Sequence, residues 1–158
     1  MNIRPLELCD NPKIAKVIRE IMIEHRIDKP GSVFTDPTTD DLYSLFQKDG
    51  AAYWIVESNG EIMGGCGIYP TDGLPNECVE LVKLYLLKET RGKGLGEQLM
   101  RKCIEQAKEI GYSQVYLESM PELNSAIGLY EKLGFKQLDK AMGNSGHYAC
   151  DVWMLLKM

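Results

Sequence analysis

Three glycines, Gly92, Gly94 and Gly96, alternate with other residues between two apolar segments of the chain. The segment before them is typical of a strand, and the segment after them has the apolar spacing of a helix. A strand that turns into a helix through glycines directs several free backbone N–H groups toward one point, at the positive end of the helix dipole. Glycine has no Cβ to hold a ligand away, and it tolerates positive φ. The loop is therefore a candidate phosphate or pyrophosphate site.

The spacing distinguishes this loop from other phosphate-binding loops, because neither G-x-G-x-x-G nor G-x-x-x-x-G-K-[ST] occurs. The chain has Arg91-x-x-Gly94-x-Gly96, a second strand at 114–118 and the segment Ala126-Ile-Gly-Leu-Tyr-Glu-Lys-Leu-Gly-Phe135. Together, residues 78–135 resemble the GNAT N-acetyltransferases, with their [QR]-x-x-G-x-[GA] loop and A-I-x-L-Y-x-x-x-G-F segment. In that family the loop holds the pyrophosphate of acetyl-coenzyme A.

The resemblance implies acetyl-CoA as co-substrate and no metal. The loop would bind pyrophosphate chiefly through backbone N–H groups, with the Arg91 side chain as an additional contact. The strand before the loop would bind the pantetheine arm, and its N–H groups could polarise the thioester carbonyl; its side chains are core in either case. The predicted cofactor-binding residues are Leu84, Tyr85, Leu86, Arg91, Gly92, Lys93, Gly94, Leu95, Gly96, Glu97 and Asn124.

Asn124 carries one departure from the family pattern. Counted back from Tyr130, the position of the family's frequent asparagine falls on Leu123, one residue earlier. Asn124 therefore either reaches the cofactor or serves as a helix cap or an exposed residue.

Two residues are candidates for proton transfer. Glu80 is the only acidic residue in an apolar strand and precedes Arg91 by eleven positions, similar to the general base of the histone-acetylating branch. An apolar setting raises a carboxyl pKa toward neutrality; a structural ion pair or a contact with the acceptor ammonium is the alternative. Tyr130 is similar to the family tyrosine that protonates the departing thiolate, which a phenol with a pKa near 10 can do. Otherwise it is a core residue.

Composition limits the class of protein. A chain of 158 residues predicts a single domain, 1–158, and 44% hydrophobic with 26% charged residues is ordinary for a globular protein. The net charge of −5 argues against nucleic acid as a partner and is compatible with a cationic amine. Apolar runs are too short to span a membrane, and the N-terminus lacks a signal pattern. We expect a cytoplasmic protein.

Five dispersed cysteines without a C-x-x-C pair indicate reduced thiols and no zinc cluster. Cys103, on the apolar stripe of its helix, is expected to be a buried core residue.

The periodicities predict about six to seven strands and about four helices in an α+β fold, and the resemblance implies a three-layer α/β/α arrangement around a central mixed, twisted sheet. Predicted strands are 2–6, 51–57, 61–69, 78–87, 114–118, 135–139 and 148–156, and predicted helices are 13–25, a short one within 38–50, one after Gly94 ending at Gly111, and 121–133.

Two strands carry further predictions. A period of two places Glu80, Val82, Leu84 and Leu86 on one face. Three glycines at 64, 65 and 67 mark either a bulge and close packing or a contact with substrate.

The predicted function is transfer of an acetyl group from acetyl-CoA to a primary amine of a small molecule, protein or peptide, by direct attack in a ternary complex. The alternatives are a non-catalytic acyl-CoA-binding regulatory module and a transferase with another acyl donor. The acceptor walls would come from loops 27–37 and 141–147, which have no periodicity. The sequence determines neither the acceptor nor whether the chain forms a homodimer.

Overall fold

The computed structural model describes every residue from Met1 to Met158. Its strands are β1 (Asn2–Pro5), β2 (Ala52–Ser58), β3 (Glu61–Tyr69), β4 (Cys78–Leu86), β5 (Gln114–Ser119), β6 (Lys136–Leu138) and β7 (Val152–Lys157). Its α-helices are α1 (Asn11–Glu24), α2 (Leu42–Leu45), α3 (Leu95–Ile110) and α4 (Asn124–Lys132). Single 3₁₀ turns occupy Leu8–Asp10, Pro37–Asp40, Lys88–Thr90 and Pro121–Leu123.

The seven strands form one sheet in the order β1-β2-β3-β4-β5-β7-β6. Neighbours are antiparallel except β4 and β5, which run parallel and are joined through α3. One core, with α3 and α4, covers one face, and a second core, with α1 and α2, covers the other. The predicted three-layer α/β/α fold is confirmed. None of the helices has both the length and the apolar composition needed to cross a bilayer.

Two predicted boundaries are wrong. The helix expected within 38–50 is only the 3₁₀ turn and the four residues of α2. The strand expected from Tyr148 begins at Val152. Ala149 N–H donates to the carbonyl of Gly31, in the loop after α1, at 3.1 Å, and Asp151 N–H donates to the carbonyl of Ser119, the last residue of β5, at 3.2 Å. The loop before β7 therefore packs against the loop after α1.

A β-bulge interrupts β4 at Lys83. Gly65 pairs with Tyr85, and Gly67 pairs with Val82. The interval between the two pairs is therefore three residues long in β4 but only two in β3. Lys83 is the extra residue, and its backbone is in the left-handed region with φ 53. A bulge bends its strand and increases the local twist. Pairing of β4 with β5 ends at Leu81, just before the bulge, so the two strands separate beyond it.

The bulge overturns the alternation predicted for β4. Leu84 and Leu86 pack with the α3 core, whereas Val82 packs with the α1 core. The prediction that Leu84 and Leu86 share a face with Glu80 is therefore wrong, because one extra residue shifts every later side chain to the other face.

The β3 glycines allow the close packing beside the bulge. A Cβ on Gly65 would lie 2.5 Å from the Trp54 carbonyl oxygen and 2.6 Å from the Tyr53 ring, and one on Gly67 would lie 2.5 Å from the same ring. The ring is 4% exposed, and its hydroxyl donates to the Lys83 carbonyl at 3.0 Å. Close packing, rather than substrate contact, explains these glycines.

We predict that Gly65→Ala destabilises the protein by about 2 kcal/mol, because the added methyl must displace backbone or a buried ring. Gly128→Ala is the matched control: nothing lies within 4 Å of its Cβ position in α4, so it should leave stability unchanged or raise it slightly. Urea unfolding of both variants measures the difference. Equal stabilities would contradict the packing described here.

Candidate active site

The glycine loop lies at the start of α3 and is the candidate anion site. Gly92 and Gly94 have φ of 73 and 74, which glycine adopts without strain. The first backbone bond of the helix runs from Gln98 N–H to the Gly94 carbonyl at 3.1 Å. The N–H groups of residues 95–97 therefore have no acceptor within the helix, and they lie at its positive end. This arrangement suits a phosphate or pyrophosphate.

A cleft of about 350 Å³ runs from this loop along β4 toward α4. Most of the predicted cofactor-binding residues line it, namely Leu84, Tyr85, Leu86, Arg91, Gly92, Gly94, Leu95, Gly96 and Glu97. Lys93 is exposed and outside the lining. Asn124 is also exposed outside the cleft, where Ser125 lies instead, so the structure does not bring Asn124 to the cofactor side.

The Arg91 side chain has another partner. Its guanidinium donates two hydrogen bonds of 2.8 Å to the Glu24 carboxylate at the end of α1, and its Nε donates to the Leu86 carbonyl at 3.3 Å. These contacts join α1 to the loop. The loop's anion site is thus built from backbone groups.

The separation of β4 from β5 leaves a small cavity of about 50 Å³ at the centre of the sheet. Glu80 and Tyr130 both line it, so the structure brings the two predicted catalytic residues together. Leu84, Tyr85 and Leu123 line both this cavity and the cleft, which makes the two spaces adjacent.

Glu80 is a buried carboxyl, 3% exposed, that accepts a hydrogen bond from the Thr71 hydroxyl. Burial raises its pKa to about 7, and the Glu118 carboxylate acts in the same direction. The Thr71 hydrogen bond and the nearby His147 and Lys83 oppose that rise. A carboxyl with this pKa exchanges a proton at neutral pH, as a general base must.

Tyr130 is 5% exposed, and its ring lies 6.0 Å from that of Phe135. Burial raises the pKa of its phenol well above the ordinary value of 10. The hydroxyl therefore stays protonated at neutral pH, and the raised pKa makes it a weaker acid than an exposed phenol. Nearby, burial raises the pKa of Cys150 to about 12, which keeps this thiol in its weakly nucleophilic neutral form.

A polar pocket of about 190 Å³ adjoins the cavity on the side away from the cleft. Glu80, Val82 and Lys83 line both spaces, with His147. Lys83 was missed in the sequence because strict alternation places it opposite Glu80. The three glycines of β3 were the available signal for the bulge.

An Asp–His contact joins the two loops around this pocket. His147 Nε2 lies 2.7 Å from Asp36 Oδ2, and Asp36 Oδ1 accepts hydrogen bonds from the Thr38 N–H and hydroxyl at 2.9 and 2.7 Å. These bonds hold the pKa of Asp36 well below its usual range. The loops expected to form the acceptor walls therefore meet, although no sequence pattern indicated which of their residues do so.

The chain is similar in sequence to known acetyltransferases. The family model described as the acetyltransferase (GNAT) family matches residues 18–135. The chain is 45% identical over 157 residues to "Uncharacterized N-acetyltransferase YjgM" of Escherichia coli (strain K12), covering 98% of this chain and 93% of that protein.

Solved structures are similar over almost the whole chain. An acetyltransferase of the GNAT family from Staphylococcus aureus Mu50 matches with a TM-score of 0.86 at 20% identity, covering 99% of this chain and 98% of that one. A GNAT superfamily phosphinothricin acetyltransferase from Sinorhizobium meliloti, in complex with AcCoA, matches with a TM-score of 0.77 at 22% identity, covering 99% and 88%.

The raised pKa of Glu80 predicts a specific pH dependence of folding. The folded state binds this proton more tightly than the unfolded chain, whose carboxyl has a pKa near 4.5. The stability it contributes is complete below that value and is lost as the pH rises through about 7, a change of about 3 kcal/mol. Glu80→Gln should therefore gain about 3 kcal/mol relative to wild type between pH 4.5 and 7.5.

Urea unfolding at a series of pH values measures this difference. The exposed Glu109→Gln variant is the control, and its curve should parallel that of the wild type. A Glu80→Gln difference that does not change with pH would mean that the folded-state pKa is not raised.

Proposed function

The chain belongs to the GNAT acetyltransferase family, and we propose that it transfers the acetyl group of acetyl-CoA to a primary amine by direct attack in a ternary complex. Three adjoining spaces in the structure support this proposal. The cleft at the glycine loop leads to the cavity between β4 and β5, and the cavity leads to the polar pocket. Glu80 lies where the last two meet, so a donor and an acceptor entering from opposite sides would meet beside a carboxyl group.

The donor would lie along the cleft. The pyrophosphate is placed at the N-terminus of α3, and the pantetheine arm follows Leu84–Leu86 toward the cavity. Beyond Leu81, β4 has no ladder partner on its β5 side, so N–H groups there are free to bind the arm and to polarise the thioester carbonyl. A neighbour crystallised with AcCoA supports this choice of donor.

The proton transfers would use the two buried groups at the cavity. Glu80 takes a proton from the acceptor ammonium, directly or through water, and the free amine attacks the thioester carbon. The tetrahedral intermediate then collapses as the carbon–sulfur bond breaks, and Tyr130 donates its proton to the coenzyme A thiolate. The amine loses its second proton and Tyr130 regains one from solvent, so the products are an amide, free thiol and one released proton.

We also infer a cytoplasmic location, since all five cysteines are unpaired and Cys66, Cys78 and Cys103 are buried as free thiols.

An acceptor screen tests the proposed activity. The protein is incubated with acetyl-CoA and a panel of amines, and release of free thiol is measured against a reaction without protein. We expect acceptor-dependent release with at least one amine and an N-acetylated product by mass spectrometry. Tight binding of acetyl-CoA without release on any amine would favour the regulatory module instead, and release only with another acyl-CoA would favour a different donor.

We predict that Gly94→Asp abolishes coenzyme A binding, because it introduces a carboxylate where the pyrophosphate is placed. Gly60→Asp is the matched control: it lies in the β2–β3 turn with φ 80, close to the φ of 74 at Gly94, and nothing lies within 4 Å of its Cβ position. Calorimetry should show binding lost in the first folded variant and retained in the second. Affinity within a few-fold of wild type in Gly94→Asp would remove the loop from this role.

We predict that Tyr130→Phe lowers kcat by roughly 10²-fold, since general acid catalysis typically contributes 10²–10⁴. The ring and its packing are kept, so acetyl-CoA affinity should stay within a few-fold. Tyr112→Phe is the control, because its hydroxyl bonds the Gly50 carbonyl at 3.2 Å, remote from the cavity. Near-wild-type kcat in Tyr130→Phe would show that the residue serves only the core.

A further inference from the structure

Lys83 has a mostly buried side chain that makes no hydrogen bond to another protein group. Its side chain is 3% exposed, its Nζ donates no hydrogen bond, and the nearest carboxylate oxygen, Asp36 Oδ2, lies 3.9 Å away. It lines both the cavity at the β4–β5 gap and the polar pocket. Its Nζ is not one of the fully buried polar atoms without a partner, which are Trp54 Nε1 and Ser119 Oγ, so the amino group is open to the pocket. The side chain is therefore suited to receive an acceptor group from a ligand.

The neighbouring carboxylates are already engaged. Asp36 accepts hydrogen bonds from Thr38 and contacts His147, and Glu80 accepts one from Thr71. Neither is within hydrogen-bonding distance of Lys83, although both favour its charged form, while burial lowers its pKa. The lysine charge is partly balanced, and its donors remain available.

The backbone holds Lys83 in this position at an energetic cost. Its φ of 53 is uncommon for a residue with a side chain, and the buried Tyr53 hydroxyl secures its carbonyl at 3.0 Å. Such conformations persist where the surrounding structure fixes them, often at functional sites. The bulge places Lys83 on the same face of β4 as Glu80, which regular alternation would not do.

We propose that Lys83 binds a carboxylate of the acceptor, so that the acceptor is a small amine bearing a carboxylate, as an amino acid does. This inference rests on the proposed acetyl transfer. The carboxylate would contact Lys83 while the ammonium faces Glu80, and both residues line the same two spaces. The pocket of about 190 Å³ is below the roughly 300–1,000 Å³ of sites for drug-sized ligands, which favours a small acceptor. The carboxylates of Asp36 and Glu80 repel any anion at Lys83, and they repel a dianionic phosphate more strongly than a singly charged carboxylate.

Paired acceptors test the inference. Each natural L-amino acid is assayed with acetyl-CoA beside its carboxamide and its decarboxylated amine, so that the members of a set differ in the carboxylate. For the amino acid that reacts fastest, we expect kcat/KM at least about 10-fold above both partners, as one hydrogen bond to a charged group allows. Lys83→Met should raise KM for that amino acid about 10- to 100-fold, with a smaller effect on kcat. The amide and the amine should change by less than the amino acid, since for them only the effect of the lysine charge on the Glu80 pKa is lost.

Lys108→Met, an exposed lysine at the end of α3, is the control and should retain the preference. If Lys83→Met does not fold, Lys83→Gln replaces it, and the wild-type comparison needs no variant. A wild type that prefers the amides or amines would overturn the carboxylate site while leaving acetyl transfer intact. An equal loss on all three acceptors in Lys83→Met would also overturn it. No thiol release with any acceptor would overturn the proposed function and this inference together.

Discussion

The extra residue in β4 is the feature on which the rest of the site depends. A continuous strand would pair with β5 along its whole length and leave no space at the centre of the sheet. The bulge at Lys83 ends that pairing after Leu81 and reverses the facing of every later side chain. It is held by a hydrogen bond from Tyr53, whose ring lies against the glycines of β3. Packing among β2, β3 and β4 therefore holds the bulge that opens the gap between β4 and β5.

Burial gives the groups around this gap their chemistry. Desolvation raises the pKa of Glu80 to about 7 and keeps the Tyr130 phenol protonated, so a carboxyl that ionises near neutral pH and a protonated phenol line the same cavity. Desolvation also opposes the charge of Lys83, which its acidic neighbours favour. The same exclusion of water that stabilises the two cores therefore sets these proton affinities.

The sequence predicted the strand, glycine loop and helix of residues 78–111 well, since periodicity and glycine spacing are local. It failed where long-range contacts decide: the alternation of β4 breaks at Lys83, and Ala149 bonds to Gly31 in the loop after α1 instead of continuing a strand. Asp36 and His147 meet across 111 positions, so no local pattern could pair them. The buried surroundings of Glu80 were expected from its apolar neighbours, but its Thr71 partner was not.

The proposed direct transfer requires that acetyl-CoA and the amine occupy the gap together and that no acyl group passes through the protein. Initial rates measured at several fixed concentrations of each substrate test this most directly, with intact-mass analysis after incubation with acetyl-CoA alone. Direct transfer gives intersecting double-reciprocal lines and leaves the protein unmodified. Parallel lines together with a protein heavier by one acetyl group, for instance on Cys150, would contradict it.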